Sequence, residues 1–132
     1  NGAAFRALGE EIRTTIAAEP RLPEQEAALG EALALAEKTT MAMIDASTSA
    51  GPEAFLANAS VYLDMLGHVV IAWIWLKQAK AAEADVVPPA LAAGKRAACQ
   101  YFYRYELPTI EPQCTLLARL DRTSLDVTAE AL

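Results

Sequence analysis

Apolar residues recur along the chain every three or four positions, which is the spacing that places side chains on one face of an α-helix. From Ala3 to about Glu19, the stripe consists of Phe5, Leu8, Ile12 and Ile16. We expect this helix to end before Pro20 and Pro23, because proline cannot donate a backbone hydrogen bond. A second stripe predicts a helix from about Glu24 to Ser49.

The third segment, Pro52 to about Glu83, is the most apolar part of the chain, and Val69–Leu76 contains no polar side chain. A membrane-spanning helix needs about 20 consecutive apolar residues. Asn58, Asp64 and His68 interrupt the segment before that length is reached. We therefore expect the central helix of a bundle and no membrane span.

The fourth segment predicts a helix from Ala90 to about Glu106, and its helical spacing continues beyond Pro108 as far as Leu120. Such continuation predicts a kink at Pro108 followed by further helix. The tail from Thr123 is expected to be frayed or extended. No stretch alternates like a strand. The predicted fold is all-α, a single domain over residues 1–132, built as an antiparallel bundle of four main helices.

The amino-acid composition supports an all-α fold and limits the classes of molecule that the chain is expected to bind. Hydrophobic residues make up 54% of the 132 residues, and many of them are alanine, the strongest helix former. A net charge of −6 disfavours nucleic acid, which binds positively charged surfaces. The mean hydropathy of +0.18 is high for a free-standing soluble domain, so we expect a partner to cover part of the surface.

The two cysteines indicate the cellular compartment, and the N-terminus indicates that the chain is part of a longer protein. If Cys99 and Cys114 share a helix, they lie about 22 Å apart at roughly 1.5 Å per residue, too far for a disulfide. Two free thiols suit a reducing cytoplasm. Asn1 stands where an initiator methionine would be, and no signal peptide is visible. We therefore expect a cytoplasmic fragment or processed product of a longer protein.

Two segments carry a resemblance to a known family: YLDMLGHVVIAWIWLKQA, from Tyr62 to Ala79, and ACQYFYRYELPTIEPQ, from Ala98 to Gln113. The matching features, in order, are Gly67, Trp73, Trp75, Phe102, Tyr103, Leu107 and Pro108. This part resembles the C-terminal helical domain of acetyl-CoA-dehydrogenase-like acyl-CoA dehydrogenases, a group that includes enzymes acting on 3-methylmercaptopropionyl-CoA. The range 5–50 matches only in its helical pattern.

The resemblance implies a parent enzyme that binds FAD and oxidises acyl-CoA to enoyl-CoA. Its flavin-binding segments and catalytic glutamate would precede Asn1, so we expect no catalytic, cofactor-binding or metal-ligating residue in this chain. The implied role is structural, as an accessory domain that packs on the catalytic body. The domain is expected to cover a surface that shorter relatives use for tetramer assembly, leaving a homodimer.

Asp64 and His68 form the one constellation that could carry chemistry, because residues four apart share a helix face and a carboxylate can accept from an imidazole. Such a pair could act in acid/base chemistry, in a metal shell or as a haem ligand. No further histidine and no haem attachment motif accompany it. We therefore interpret it as a polar pair beneath a helix contact.

Aromatic and basic residues are candidates for an interface. Most aromatic clusters at helical spacing are core, although Trp75 and Tyr101 could contact a partner. Lys95 and Arg96 could meet a CoA phosphate or an acidic patch of the parent body. The same applies to Lys77 and Lys80, and we interpret all four as parts of solvated faces. The acidic residues Glu24, Glu26, Glu31 and Glu37 receive the same interpretation.

Two alternatives to the accessory domain stay open at this point. One is an independent interaction module that recruits a partner through its aromatic helices. The other is a bundle that binds a small ligand near Asp64 and His68.

Overall fold

The computed structural model describes residues 2–128 and 130, except for the side chain of residue 50. Its helices are α1 (Ala3–Ala17), α2 (Pro23–Ala50), α3 (Pro52–Ala57), α4 (Ala59–Ala81), α5 (Pro89–Tyr101), α6 (Ile110–Leu117) and α7 (Thr123–Asp126). A π turn (Phe102–Glu106) and a 3₁₀ turn (Leu107–Thr109) connect α5 to α6. No strand occurs among these residues, which confirms the predicted all-α class.

Proline sets the start of three helices. α2, α3 and α5 begin at Pro23, Pro52 and Pro89. Proline suits the first helical position because its φ is already helical and because the N–H that it lacks would have no partner there. Gly51 separates α2 from α3 with a φ of 86°, a backbone conformation that side chains with a Cβ rarely adopt.

Asn58 divides the third predicted segment into two helices. Its amide Nδ2 donates to the carbonyls of Ala54 and Asp121, each at 2.9 Å. In a continuous helix, the carbonyl of Ala54 would accept from the backbone N–H of Asn58. Here the Asn58 side chain binds that carbonyl, and the N–H donates instead to the carbonyl of Phe55. A single helix over Pro52 to Glu83 is therefore wrong, and α4 starts only at Ala59.

α4 lies at the centre of the molecule, in contact with α1, α2, α3, α5 and α6. Its inner side supplies much of the core. The fully buried large side chains of the core are Ile12, Leu29, Met43, Met65, Val69, Leu76, Cys99 and Leu117. The position of α4 makes it the element on which the other helices are arranged.

The fourth predicted helix changes type after Tyr101. Tyr103, in the π turn, is buried, and its hydroxyl donates to the carbonyl of Ala72 on α4 at 2.9 Å. Pro108 lies in the 3₁₀ turn. Because proline has no backbone N–H, the preceding turn lacks one hydrogen bond of a regular α-helix. The kink at Pro108 itself stays a prediction.

α4 is also, within the part of the chain described, a helix long and apolar enough to cross a membrane, with a mean hydropathy of 1.5. Only 22% of that window is buried within the chain. Leu63, Ile71 and Ile74 are exposed on it, and we call these three residues the outer face of α4. The predicted absence of a membrane span stays a prediction.

Candidate functional site

Asp64 and His68 lie one turn apart on α4, as their spacing predicts. The imidazole Nδ1 of His68 donates to the backbone carbonyl of Asp64 at 2.8 Å and lies 4.0 Å from the carboxylate. The carboxylate of Asp64 accepts instead from the amide of Gln113 on α6. The imidazole of His68 also packs near the ring of Phe102, with centroids 6.2 Å apart. These contacts join α4 to the neighbouring helices.

The positions of the described residues support neither a metal site nor a reactive cysteine. Among the residues with described positions, no three His, Cys, Asp or Glu side chains are placed to share a metal ion. Cys99 and Cys114 are free and buried, and burial raises the pKa of Cys99 to about 11. The thiol of Cys114 lies 3.2 Å from the sulfur of Met65. A thiol that stays protonated at neutral pH is a poor nucleophile.

The basic residues in the middle of α5 contact the last turns of α4 and the segment that follows it. Lys95 donates to the amide oxygen of Gln78 at 2.6 Å, and its ammonium lies 5.5 Å from the ring centroid of Trp75. Arg96 donates to the carboxylate of Glu83 at 2.9 Å. Both cations thus have partners within the chain: Lys95 contacts α4, and Arg96 contacts the loop between α4 and α5.

Tyr101 is exposed beside a second tyrosine. It stacks on Tyr105, with ring centroids 4.8 Å apart and an angle of 18° between the rings. Both rings are exposed. Exposed tyrosines are enriched at protein interfaces because they combine a large apolar ring with a polar hydroxyl.

A buried ion cluster was missed at the level of sequence. Glu26 and Lys80 are 3% and 6% exposed, and the Lys80 ammonium lies 2.7 Å from the Glu26 carboxylate. Lys80 also donates to the carbonyl of Ile16, in the last turn of α1, and to that of Ala18, directly after the helix. Arg21 donates to the second carboxylate oxygen of Glu26 at 2.8 Å. The cluster fastens the α1–α2 connection to α4.

The electrostatics of this cluster favour ionised Glu26. The hydrogen bond from Arg21 is the main cause that lowers the pKa of Glu26 from 4.5 to about 2, with Lys80 and the N–H of Leu22 adding to it against the effect of burial. The solvated-face interpretation of Glu26 and Lys80 is therefore wrong. The helical spacing contained a signal for their burial. Glu26 lies three residues before buried Leu29, and Lys80 lies four residues after buried Leu76, so each shares a helix face with a core residue.

A groove of about 720 Å³ opens between α1, α2, α3 and α4. We call it the N-terminal groove, and its lining residues are Gly2, Phe5, Arg6, Glu37, Thr40, Met41, Ile44, Phe55 and Tyr62. Its volume falls within the range of about 300–1,000 Å³ that is typical of ligand pockets. Together with the outer face of α4, it is an apolar surface that this chain leaves uncovered.

Comparison with known proteins decides the family. Residues 8–128 match the family described as acetyl-CoA dehydrogenase C-terminal like. The chain belongs to this family. No curated protein and no solved structure matches the chain significantly.

Membership in the acetyl-CoA dehydrogenase C-terminal-like family confirms the predicted relation to the C-terminal domain of acyl-CoA dehydrogenases. The match includes both segments that carried the resemblance, residues 62–79 and 98–113, and most of the N-terminal half. An accessory domain of such an enzyme fits this family. The narrower likeness to enzymes for 3-methylmercaptopropionyl-CoA stays a prediction.

In this acetyl-CoA dehydrogenase C-terminal-like domain, the structure does not bring the candidate residues into one site. Asp64 contacts α6, and His68 lies near Phe102. The partners of Lys95 and Arg96 are Gln78 and Glu83, and Tyr101 stacks on Tyr105. Their contacts stabilise helix packing. The exposed apolar surface of the described residues lies elsewhere, in the N-terminal groove and on the outer face of α4.

Proposed function

We propose that this chain is the C-terminal accessory domain of a FAD-dependent acyl-CoA dehydrogenase, in which it packs on the catalytic body. The observation that carries the proposal is the family match over residues 8–128. The parent reaction, oxidation of acyl-CoA to enoyl-CoA, follows from the resemblance, as does the narrower 3-methylmercaptopropionyl-CoA type. The catalytic body would precede Asn1, and residues 1–132 would form one domain.

The outer face of α4 supports docking on that body. Leu63, Ile71 and Ile74 are exposed on the central helix, and the range 69–76 carries no charge. Burial of apolar surface contributes about 25 cal/mol for each Å² removed from water. A body with a complementary apolar surface would therefore bind here without having to desolvate charges.

The chain itself does not fit FAD. A flavin carries a diphosphate, which proteins bind with glycine-rich loops or helix N-termini, and the sequence has no glycine-rich phosphate loop. Lys95 and Arg96 are occupied by Gln78 and Glu83. We assign FAD to the body of the parent enzyme and no step of its reaction to this chain.

The same proposal includes the arrangement of the helices and the cellular location. α1, α2, α4 and the α5–α6 unit would be the four main members of an antiparallel bundle, with a bend at Pro108. Free, buried Cys99 and Cys114 support a reducing, cytoplasmic location.

A second candidate function is an independent interaction module, which the exposed stack of Tyr101 and Tyr105 favours. In that case the tyrosines would recruit a separate protein. The candidate ligand site near Asp64 receives no such support, because its carboxylate already accepts from Gln113.

Deletion of residues 1–132 from the parent enzyme tests the proposal. If the domain covers an assembly surface, sedimentation will show a homodimer for the intact parent and larger assemblies for the truncated enzyme. Dehydrogenase activity on acyl-CoA, followed by flavin reduction, should remain with the body. Unchanged assembly and unchanged activity after deletion would contradict the accessory role.

A further inference from the structure

The polar groups of the N-terminal groove are already paired within the chain. The hydroxyl of Thr40 donates to the carbonyl of Ala36 at 2.7 Å and lies 3.1 Å from the hydroxyl of Tyr62. Both carboxylate oxygens of Glu37 lie 2.7 Å from the guanidinium of Arg13. These polar groups therefore have partners without a ligand, and the groove suits an apolar occupant.

The apolar wall of the groove is exposed as the chain stands. Met41 is 56% exposed, and Ile44 lies exposed one turn further along α2. Phe55 and Tyr62 close the other side, with ring centroids 5.6 Å apart. Large apolar side chains on both walls provide a surface that gains stability when an apolar segment fills the space between them.

The course of the backbone indicates which segment that is. Gly2 lines the groove, and its carbonyl accepts the first helical hydrogen bond of α1 from Arg6. Polypeptide that precedes Asn1 in the parent enzyme therefore enters the domain beside the groove. A tethered segment binds at a high effective concentration, which for short flexible linkers is in the millimolar range, about 10⁻³ M.

We infer that the connecting segment immediately before Asn1 lies in the N-terminal groove and fixes the domain to the catalytic body with apolar side chains. This inference rests on the proposed function, because it requires the body to precede this domain. The occupant is a segment of the same polypeptide. A second copy of the chain and a remote part of the body are the alternatives that the test separates.

Limited proteolysis of the full-length parent tests whether the segment is held. Met41→Asp places a charge in the groove, whereas Leu91→Asp changes a residue of similar exposure, 52%, on α5 outside it. Cleavage before Asn1 should become about tenfold faster in Met41→Asp, because proteolysis follows the population of the released segment. Leu91→Asp should leave it unchanged. Met41→Ala, which adds no charge, should give a smaller increase in the same direction.

Cross-linking identifies the occupant. Met41→Cys in the full-length parent, with other accessible cysteines removed, is labelled with a benzophenone maleimide and irradiated, and the cross-linked peptides are sequenced by mass spectrometry. Cys99 and Cys114 are buried and can stay. The expected partner is the peptide directly before Asn1. A cross-link to a remote part of the body or to another subunit would overturn the inference, as would no cross-link.

The two proposals fail in different ways. If the linker is cleaved equally fast in Met41→Asp and Leu91→Asp while domain deletion still changes assembly, the groove inference is wrong and the accessory role stands. If deletion changes neither assembly nor activity, the accessory role itself is wrong.

Discussion

At the scale of single residues, the contact between Glu26 and Lys80 matters for the stability of the fold, because a buried charge without a partner is costly. Lys80 bonds to the carboxylate and to two backbone carbonyls at the C-terminal end of α1, so each charge has several partners. Removing one member of a buried ion pair typically costs about 3–5 kcal/mol. The pair could not be predicted from sequence, since its members lie 54 positions apart. Their places on buried stripes were the available signal.

The pH dependence of stability should show this cluster. The folded pKa of Glu26, about 2, lies below its ordinary value of 4.5. Ionised Glu26 therefore stabilises the fold above pH 4.5, and this contribution is lost as the pH falls towards 2. We expect the urea midpoint of the chain to fall over this interval. Glu26→Gln should be less stable at pH 7 and should show a flatter dependence, whereas Glu10→Gln, on the exposed side of α1, should keep the original slope.

At the scale of helices, local chemistry predicted the starts at proline but not the start of α4 after Asn58. Pro23 and Pro52 mark helix starts that the sequence predicts to within one residue. The break at Asn58 was not predictable, because asparagine is tolerated inside helices and one of its partners, Asp121, lies 63 positions away. The π turn after Tyr101 likewise depends on a tertiary bond, from Tyr103 to α4.

Asn58→Ala should loosen the C-terminal part of the chain. The substitution removes both bonds of a buried amide and leaves the carbonyl of Asp121 without this donor. A loss of about 1–3 kcal/mol in the free energy of unfolding is expected. Hydrogen exchange should also become faster at Thr123–Asp126. Ser60→Ala, at an exposed position nearby, serves as the control. Equal exchange in the two variants would show that Asn58 does not hold this segment.

At the scale of the whole molecule, α4 is apolar on more than the side that the other helices cover. Its inner side, with Met65 and Leu76, is buried, while Ile71 and Ile74 are exposed. The all-α class and the central apolar helix could be predicted from spacing and composition. The surface that a partner covers could not, because spacing does not distinguish a side chain buried within the chain from one buried by another body.

Ile74→Asp should separate docking from folding. Ile74 is 43% exposed, so a charge there should change the stability of the isolated chain by only about 0.5 kcal/mol. In the parent enzyme, the same charge would be buried without a partner against the catalytic body, which is strongly unfavourable. Hydrogen exchange along α4 should therefore be faster in the variant parent, and the sedimentation pattern should shift towards that of the truncated enzyme. Leu125→Asp, at a position 38% exposed on α7, should change neither. The same result for both variants would show that the body does not cover the outer face of α4.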